Sequence, residues 1–315
     1  MSERLLLKSG ICIVSGILKK RDILCEDGII SEIAENITDT ECEVIDCTGR
    51  YVMPGAIDSH VYFNDPGYNH REDFYTGTKA ALRGGVTTVI DMPSANIPAT
   101  RNVDLLQSKL AMISKKANCD FALCGGVTAD DIEKKQWDDI AQLLRAGVCG
   151  LEVYMNTNMP SFNHVDNGQL LELMSRLSDA GYIFLLHAED FEICDYNIRI
   201  ARMKNRNYPK AWSEARPPIA EEIAFQTSLA MAHEHNIRLH YINVSSEKAM
   251  NVVKRGKQEG LNITCSTTPV YLEMNENDLN TLGNMSKVIP PIRTKKDNTA
   301  LWMGINSGIV DIICS

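Results

Sequence analysis

The chain contains no run of about 18 uncharged apolar residues, so no helical membrane span is expected. Its first ten residues lack a basic head followed by a long apolar stretch, which argues against a secretory leader. Basic residues are in the minority, with Lys and Arg numbering 32 against 41 Asp and Glu and a formal charge of −9. That balance leaves no broad positive surface for nucleic acid or anionic lipid, and neither is expected as a partner. The ten cysteines form no CxxC pair and no zinc-finger spacing, and most sit inside apolar runs such as Ile11–Val14 and Ile312–Cys314. They read as free thiols in a reducing, cytoplasmic compartment. Low-complexity tracts and solenoid-type repeats are also missing.

What is present is an ordinary globular composition, 44% hydrophobic and 23% charged over 315 residues, enough for one large core with a small companion. Residues 1–50 read as short strands at Leu5–Leu7, Ile11–Val14, Ile23–Cys25, Ile29–Ile30 and Val44–Ile45, separated by Gly, Asp and Asn turn signals. A small β domain is expected there. From residue 51 to 315 the pattern becomes apolar strands of about five residues alternating with amphipathic helices. Strands are predicted at Ala56–Ile57, Thr87–Ile90, Phe121–Cys124, Gly150–Tyr154, Phe184–Leu186, Leu239–Asn243, Ile263–Cys265 and Ile309–Ile313. Helices are predicted over Asp73–Arg83, Trp137–Ala146, Asn167–Ala180, Pro218–His235 and Ser246–Glu259. Eight such units imply an α/β fold, a TIM-like (β/α)8 barrel, with a doubly wound open sheet as the alternative. In a barrel, the residues that follow each strand are the ones to inspect for chemistry.

Several stretches in that position resemble one family when taken in order. They are Pro54–Gly67, Glu72–Ala81, Gly84–Pro93, His187–Asp190, Arg216–Pro218, Val244–Ser246 and Pro290–Arg293. Together they resemble the cyclic-amide branch of the amidohydrolases, which includes allantoinase, dihydroorotase and hydantoinase. Asn64 in Asn64–Gly67 is similar to the allantoinase version of its motif. The resemblance implies hydrolysis of a cyclic amide or ureide by zinc or another divalent metal, and it suggests a homo-oligomer. The chemistry requires such a centre because an unactivated ring amide yields near pH 7 only to water made nucleophilic by a metal that also polarises the carbonyl.

The resemblance also implies a ligand set of two histidines in H-x-H, a carboxylated lysine, two further histidines and an aspartate. His60 and His187 match two of these positions. Tyr62 stands at the second H-x-H position, and a phenol with a pKa of about 10 is a poor divalent ligand at neutral pH. Glu152 stands where the lysine is expected, and Asn243 where another histidine is expected. The aspartate motif of the family would follow directly after Ser315, where the sequence stops, so the chain is expected to be truncated and no catalytic residue is assigned. On the substrate side, Ser94 and Ile289 replace residues that are polar in the relatives, beside Asn64.

His60 and His187 therefore read either as ligands, with Glu152 as a third, or as hydrogen-bonded core residues left from an ancestral site. Three functional readings remain open. The chain is a degenerate, zinc-poor pseudoenzyme; or an active hydrolase with one metal on His60, His187 and Glu152; or a barrel that binds a metabolite, or serves as a scaffold, without turnover.

Overall fold

A computed structural model of the chain describes residues 3–39, 41–157, 159–178 and 181–315, in two compact units, Met1–Ala56 and Ile57–Ser315. The first unit is a sheet of β1 (Arg4–Val14), β2 (Ile17–Glu26), β3 (Ile29–Ala34), β4 (Glu43–Asp46) and β5 (Tyr51–Val52). Its order is β3-β2-β1-β4, with β5 also paired to β1. The two hairpin turns are Ser15-Gly16 and Asp27-Gly28, with positive φ at both residues of each. A two-residue turn of that kind matches the right-handed strand twist, which is why glycine occupies the second position in both. The sequence led us to expect separate strands at Leu5–Leu7 and Ile11–Val14. They are instead one strand, because a register shift between Leu7 and Gly10 absorbs the extra residues and the Asp22 carboxylate accepts from Ser9 N at 2.7 Å. Leu6, Leu24 and Ile37 form the core of this unit.

The second unit is a parallel (β/α)8 barrel. Its strands are β6 (Ala56–Val61), β7 (Val86–Asp91), β8 (Asp120–Leu123) continued by β9 (Gly125–Gly126), β10 (Leu151–Tyr154), β11 (Ile183–His187), β12 (Arg238–Tyr241), β13 (Ile263–Thr267) and β14 (Ile312–Ile313). They run in chain order as β6-β7-β8 and β9 through β14. Cys124 N bonding to Asp91 O, and Gly125 N to Gly150 O, make β8 and β9 one broken strand between β7 and β10. Ser315 N donates to Asp58 Oδ1 at 3.1 Å, bringing the end of the eighth strand beside the first.

Helices follow the strands because each carries a start signal beside an apolar stripe. Asp73 caps Phe74–Arg83, Ser246 caps Glu247–Gln258, and capping boxes at Asp166 and Thr294 open Asn167–Arg176 and Lys295–Asn306. The last two residues of the helix expected over Asn167–Ala180 lie outside the described residues. The strand expected from Ile309 is shorter. Ile309 and Val310 both donate to Gly304 O and finish the preceding helix, so only Ile312–Ile313 pairs.

Period-two alternation sorts the barrel strands. Val89, Leu151, Val153, Phe184, Leu186, Leu239 and Tyr241 pack outward in the main core. Asp91 also lies on the outer side of β7, where it pairs with Lys109 of the helix Val103–Ile113, with 0% and 3% side-chain exposure, and accepts from Phe63 N at 2.9 Å. This pair fixes the loop leaving β6 to the helix layer.

Removing one partner of a buried pair strands the other charge. Lys109→Ala is therefore expected to cost about 3–5 kcal/mol in urea unfolding. Arg199→Ala, which removes the exposed pair with Asp195 one helical turn away, is expected to cost no more than about 0.5 kcal/mol by the same measurement.

Candidate active site

The residues that alternation turns into the lumen at the carboxyl ends of the strands are His60 and Tyr62 from β6 and its exit, Glu152 and Tyr154 from β10, and His187 from β11. All but Tyr62 are buried to within 4% exposure. The Tyr62 hydroxyl is their hub. It lies 3.0 Å from His60 Nε2, donates to Glu152 Oε1 at 3.0 Å, and lies 2.7 Å from the Tyr154 hydroxyl. Glu152 accepts further bonds from Tyr154 Oη at 3.2 Å and, on its other oxygen, from Ser94 N at 3.2 Å. The Ser94 hydroxyl reaches Tyr154 Oη at 3.4 Å. His187 is stacked on the Tyr154 ring, with centroids 4.9 Å apart, and its Nε2 is engaged by Glu189 Oε2 at 3.0 Å.

Electrostatics follow from burial. Glu152 is pushed up to about 7 because desolvation of its carboxylate outweighs the hydrogen bonds from Ser94 and Tyr62 that favour the charged form. Burial lowers His60 to about 3, and the neighbouring imidazoles of His240 and His187 add to the effect. Burial, then the nearby Glu152, raises the Tyr62 phenol well above its ordinary value. Burial would also raise Glu189, but the Arg216 guanidinium and His187 overcome it and hold the carboxyl at about 2. At neutral pH the cluster thus contains neutral His60, neutral phenols and a half-protonated Glu152, beside an ionised Glu189–Arg216 pair.

Two fully buried carboxylate–guanidinium pairs hold the surrounding loops. Arg216 Nε donates to Glu189 Oε1 at 3.1 Å. Arg293 Nη2 lies 3.3 Å from Glu221 Oε2 while its Nε donates to the Ser245 hydroxyl, and Ser245 N and Oγ both donate to Glu221. Asp190 caps the helix Phe191–Met203.

A cavity of about 200 Å³ opens above this layer, lined by Tyr62, Tyr154, Thr157, Met159, His187, Asn243 and Ile289. Asn243 reaches it through a left-handed backbone, φ 61°, which breaks the alternation of β12. Asn64 lies elsewhere in its own turn, φ 58°, with Nδ2 donating to Tyr62 O at 2.8 Å. The structure thus brings His60, Tyr62, Glu152, His187 and Ser94 into one layer, with Asn243 and Ile289 on the cavity wall. Sequence reasoning missed Tyr154, although counting two residues on from Glu152 along the strand points to it. His240 faces the lumen, with Nδ1 at 2.8 Å from Thr264 Oγ1 and Nε2 at 3.0 Å from Ser266 Oγ.

Most of these donor atoms engage one another, while His60 Nδ1 and His187 Nδ1 are buried without a partner. The Tyr62 hydroxyl contacts both His60 Nε2 and Glu152 Oε1 at 3.0 Å. Both Glu152 oxygens and His187 Nε2 are already engaged. Among the described residues no three His, Cys, Asp or Glu side chains are grouped so as to hold a metal.

A parallel eight-stranded barrel with a polar pocket at the carboxyl ends of its strands defines a class of small-molecule barrel proteins. Within that class the chain belongs to the amidohydrolase family, whose pattern matches residues 51–314. It is 32% identical to an allantoinase of Rubrobacter xylanophilus, covering all of this chain and 68% of that protein. To an allantoinase of Deinococcus radiodurans it is 31% identical, covering 69% of the relative. Among solved structures it superposes on the L-hydantoinase (dihydropyrimidinase) from Arthrobacter aurescens with a TM-score of 0.93 at 28% identity, covering 100% of this chain and 69% of that one. The D-hydantoinase (dihydropyrimidinase) from Thermus sp., at 23% identity and a TM-score of 0.86, shares the fold. Among the described residues no helix is long and apolar enough to cross a membrane.

Glu152 gives a pH signature. Its folded pKa lies above the unfolded value, so its contribution to stability is full below about pH 4.5 and is lost as pH rises through about 7. Glu152→Gln removes that dependence. The melting temperature of the wild type relative to Glu152→Gln is therefore expected to fall between pH 5 and pH 7.5, by up to about 3 kcal/mol of stability; parallel melting curves across that range would contradict the assignment.

Proposed function

We propose that this chain is an allantoinase-like homologue of the cyclic-amide hydrolases in which metal-dependent ring opening is lost or impaired, leaving a pocket for a small cyclic amide or ureide. One observation carries the reading: the side chains at positions 60, 62 and 152 satisfy one another through the Tyr62 hydroxyl. A catalytic zinc site needs three protein donors converging on the ion and an open position for water. Here His60 and Glu152 both meet the Tyr62 hydroxyl.

A planar ureide of suitable size would lie in the cavity against Tyr154 and Ile289, with the Asn243 amide offering a donor and an acceptor to ring N–H and C=O groups. His60, His187 and Glu152 are in this reading framework residues of a former metal centre, and Asn64 and Ser94 hold loop and layer rather than substrate. Zinc, or another divalent ion, is not retained as a cofactor. The acidic charge balance and unpaired thiols favour a cytoplasmic protein without nucleic-acid or membrane partners, and the resemblance favours a homo-oligomer.

The deciding experiment measures metal content and ring opening together. Protein purified and then incubated with excess Zn²⁺ or Mn²⁺ is expected to keep well under one ion per chain after gel filtration, and to open allantoin, hydantoin and dihydroorotate no faster than buffer. One tightly held ion per chain, with turnover that His187→Ala abolishes, would establish the active single-metal reading and defeat this one.

A further inference from the structure

Below the tyrosine layer lies a second cavity, of about 170 Å³, walled by Ile90, Cys124, Leu185, Ile242, His60 and His240 among others. Barrels of this class normally fill their interior with interleaved layers of side chains, so a void of this size departs from the rule. Its walls are almost wholly hydrocarbon and sulfur. The polar side chains among them are Ser59, His60 and His240, and both ring nitrogens of His240 are engaged by Thr264 and Ser266. His60 is different. It is 2% exposed, its Nε2 is taken by Tyr62, and its Nδ1 has no partner.

Water is a poor occupant. An ordered buried water makes about three hydrogen bonds, and the side chains of this wall offer it only the Ser59 hydroxyl and one imidazole nitrogen. An apolar cavity of about 150 Å³ in another protein stays dry and takes up benzene, so the volume here suits a molecule of one small ring. Cys149 precedes β10 and Ile183 begins β11, and both line the cavity, which therefore extends toward the amino ends of the strands, away from the Tyr154–Asn243 pocket. Cys149 is exposed.

We infer that this lumenal cavity is a second ligand site, for a small, mainly apolar molecule carrying one hydrogen-bonding group that pairs with His60 Nδ1. The inference is independent of whether the upper pocket turns over a ring amide, because the two cavities share no lining residue.

Benzyl alcohol and toluene are suitable probes. Isothermal calorimetry should show saturable binding of benzyl alcohol at least as tight as that of toluene. In spectra of isoleucine-methyl-labelled protein, the shifts should concentrate on Ile90, Ile183, Ile242 and Ile312. Cys149→Phe and Ile312→Phe, which fill the space, should each weaken binding by at least about tenfold. Hydantoin added in excess should not compete. Absence of saturable binding, exclusion of the alcohol while toluene binds, or shifts confined to other isoleucines would overturn the inference. The methyl spectra need only the wild-type protein, so the inference stays falsifiable if a filling variant fails to fold.

Discussion

The hydroxyl of Tyr62 is the constraint around which the carboxyl end of the barrel is arranged. Three strand-end groups, His60 Nε2, Glu152 Oε1 and Tyr154 Oη, meet at this one oxygen. A buried carboxylate with no compensating charge is costly, and the local solution is a proton rather than a cation. Desolvation raises Glu152 into the neutral range, and hydrogen bonds from two phenols and one backbone amide satisfy its oxygens. The same burial keeps His60 neutral and the phenols protonated. Each shift has the same cause: the low-dielectric lumen disfavours charge on every member of the layer, where an ionised group would lack a counter-charge.

Outside that layer charge is retained, but in pairs. Arg216 with Glu189, and Arg293 with Glu221, form two buried carboxylate–guanidinium contacts that tie the loops that follow β11, β12 and the segment before Lys295. This division explains which parts of the family pattern survive. His187–Asp190, Arg216–Pro218 and Pro290–Arg293 contain three of the four members of these pairs, and Val244–Ser246 supplies Ser245, which donates to the fourth, Glu221; losing one member of such a pair destabilises strongly. The positions that differ, Tyr62, Glu152, Asn243, Ser94 and Ile289, belong to the inner layer or to the cavity wall. Folding and pocket chemistry thus depend on different residues of the same motifs.

Much of the fold was legible because its signals are local. The Ser15-Gly16 and Asp27-Gly28 turns, the Asp, Ser and Thr caps, and the alternation of apolar strands with amphipathic helices each act within a few residues. The family pattern located His60, Tyr62, Glu152 and His187, which share one layer. Less legible were features created by the third dimension. Nothing in the sequence around Asp91 names Lys109 as its partner 18 positions later, and nothing near Tyr62 names Tyr154. Asn243 marks another limit. Counting by twos along β12 turns it away from the lumen, and only a positive φ, rare outside glycine and most tolerated by asparagine and aspartate, returns it to the cavity.

The tyrosine layer also divides the lumen. Above it the wall carries hydroxyl, amide and imidazole groups; below it the lining is mostly isoleucine, leucine and cysteine, with Ser59, His60 and His240. His60 belongs to both regions, since its Nε2 joins the polar hub while its ring lines the lower cavity. In the single-metal reading His60 and Glu152 would converge on an ion, which would require moving the Tyr62 hydroxyl that now separates them. That movement would leave Glu152 without one donor and Tyr154 without its shortest hydrogen bond. The hub thus makes displacement of the Tyr62 hydroxyl costly.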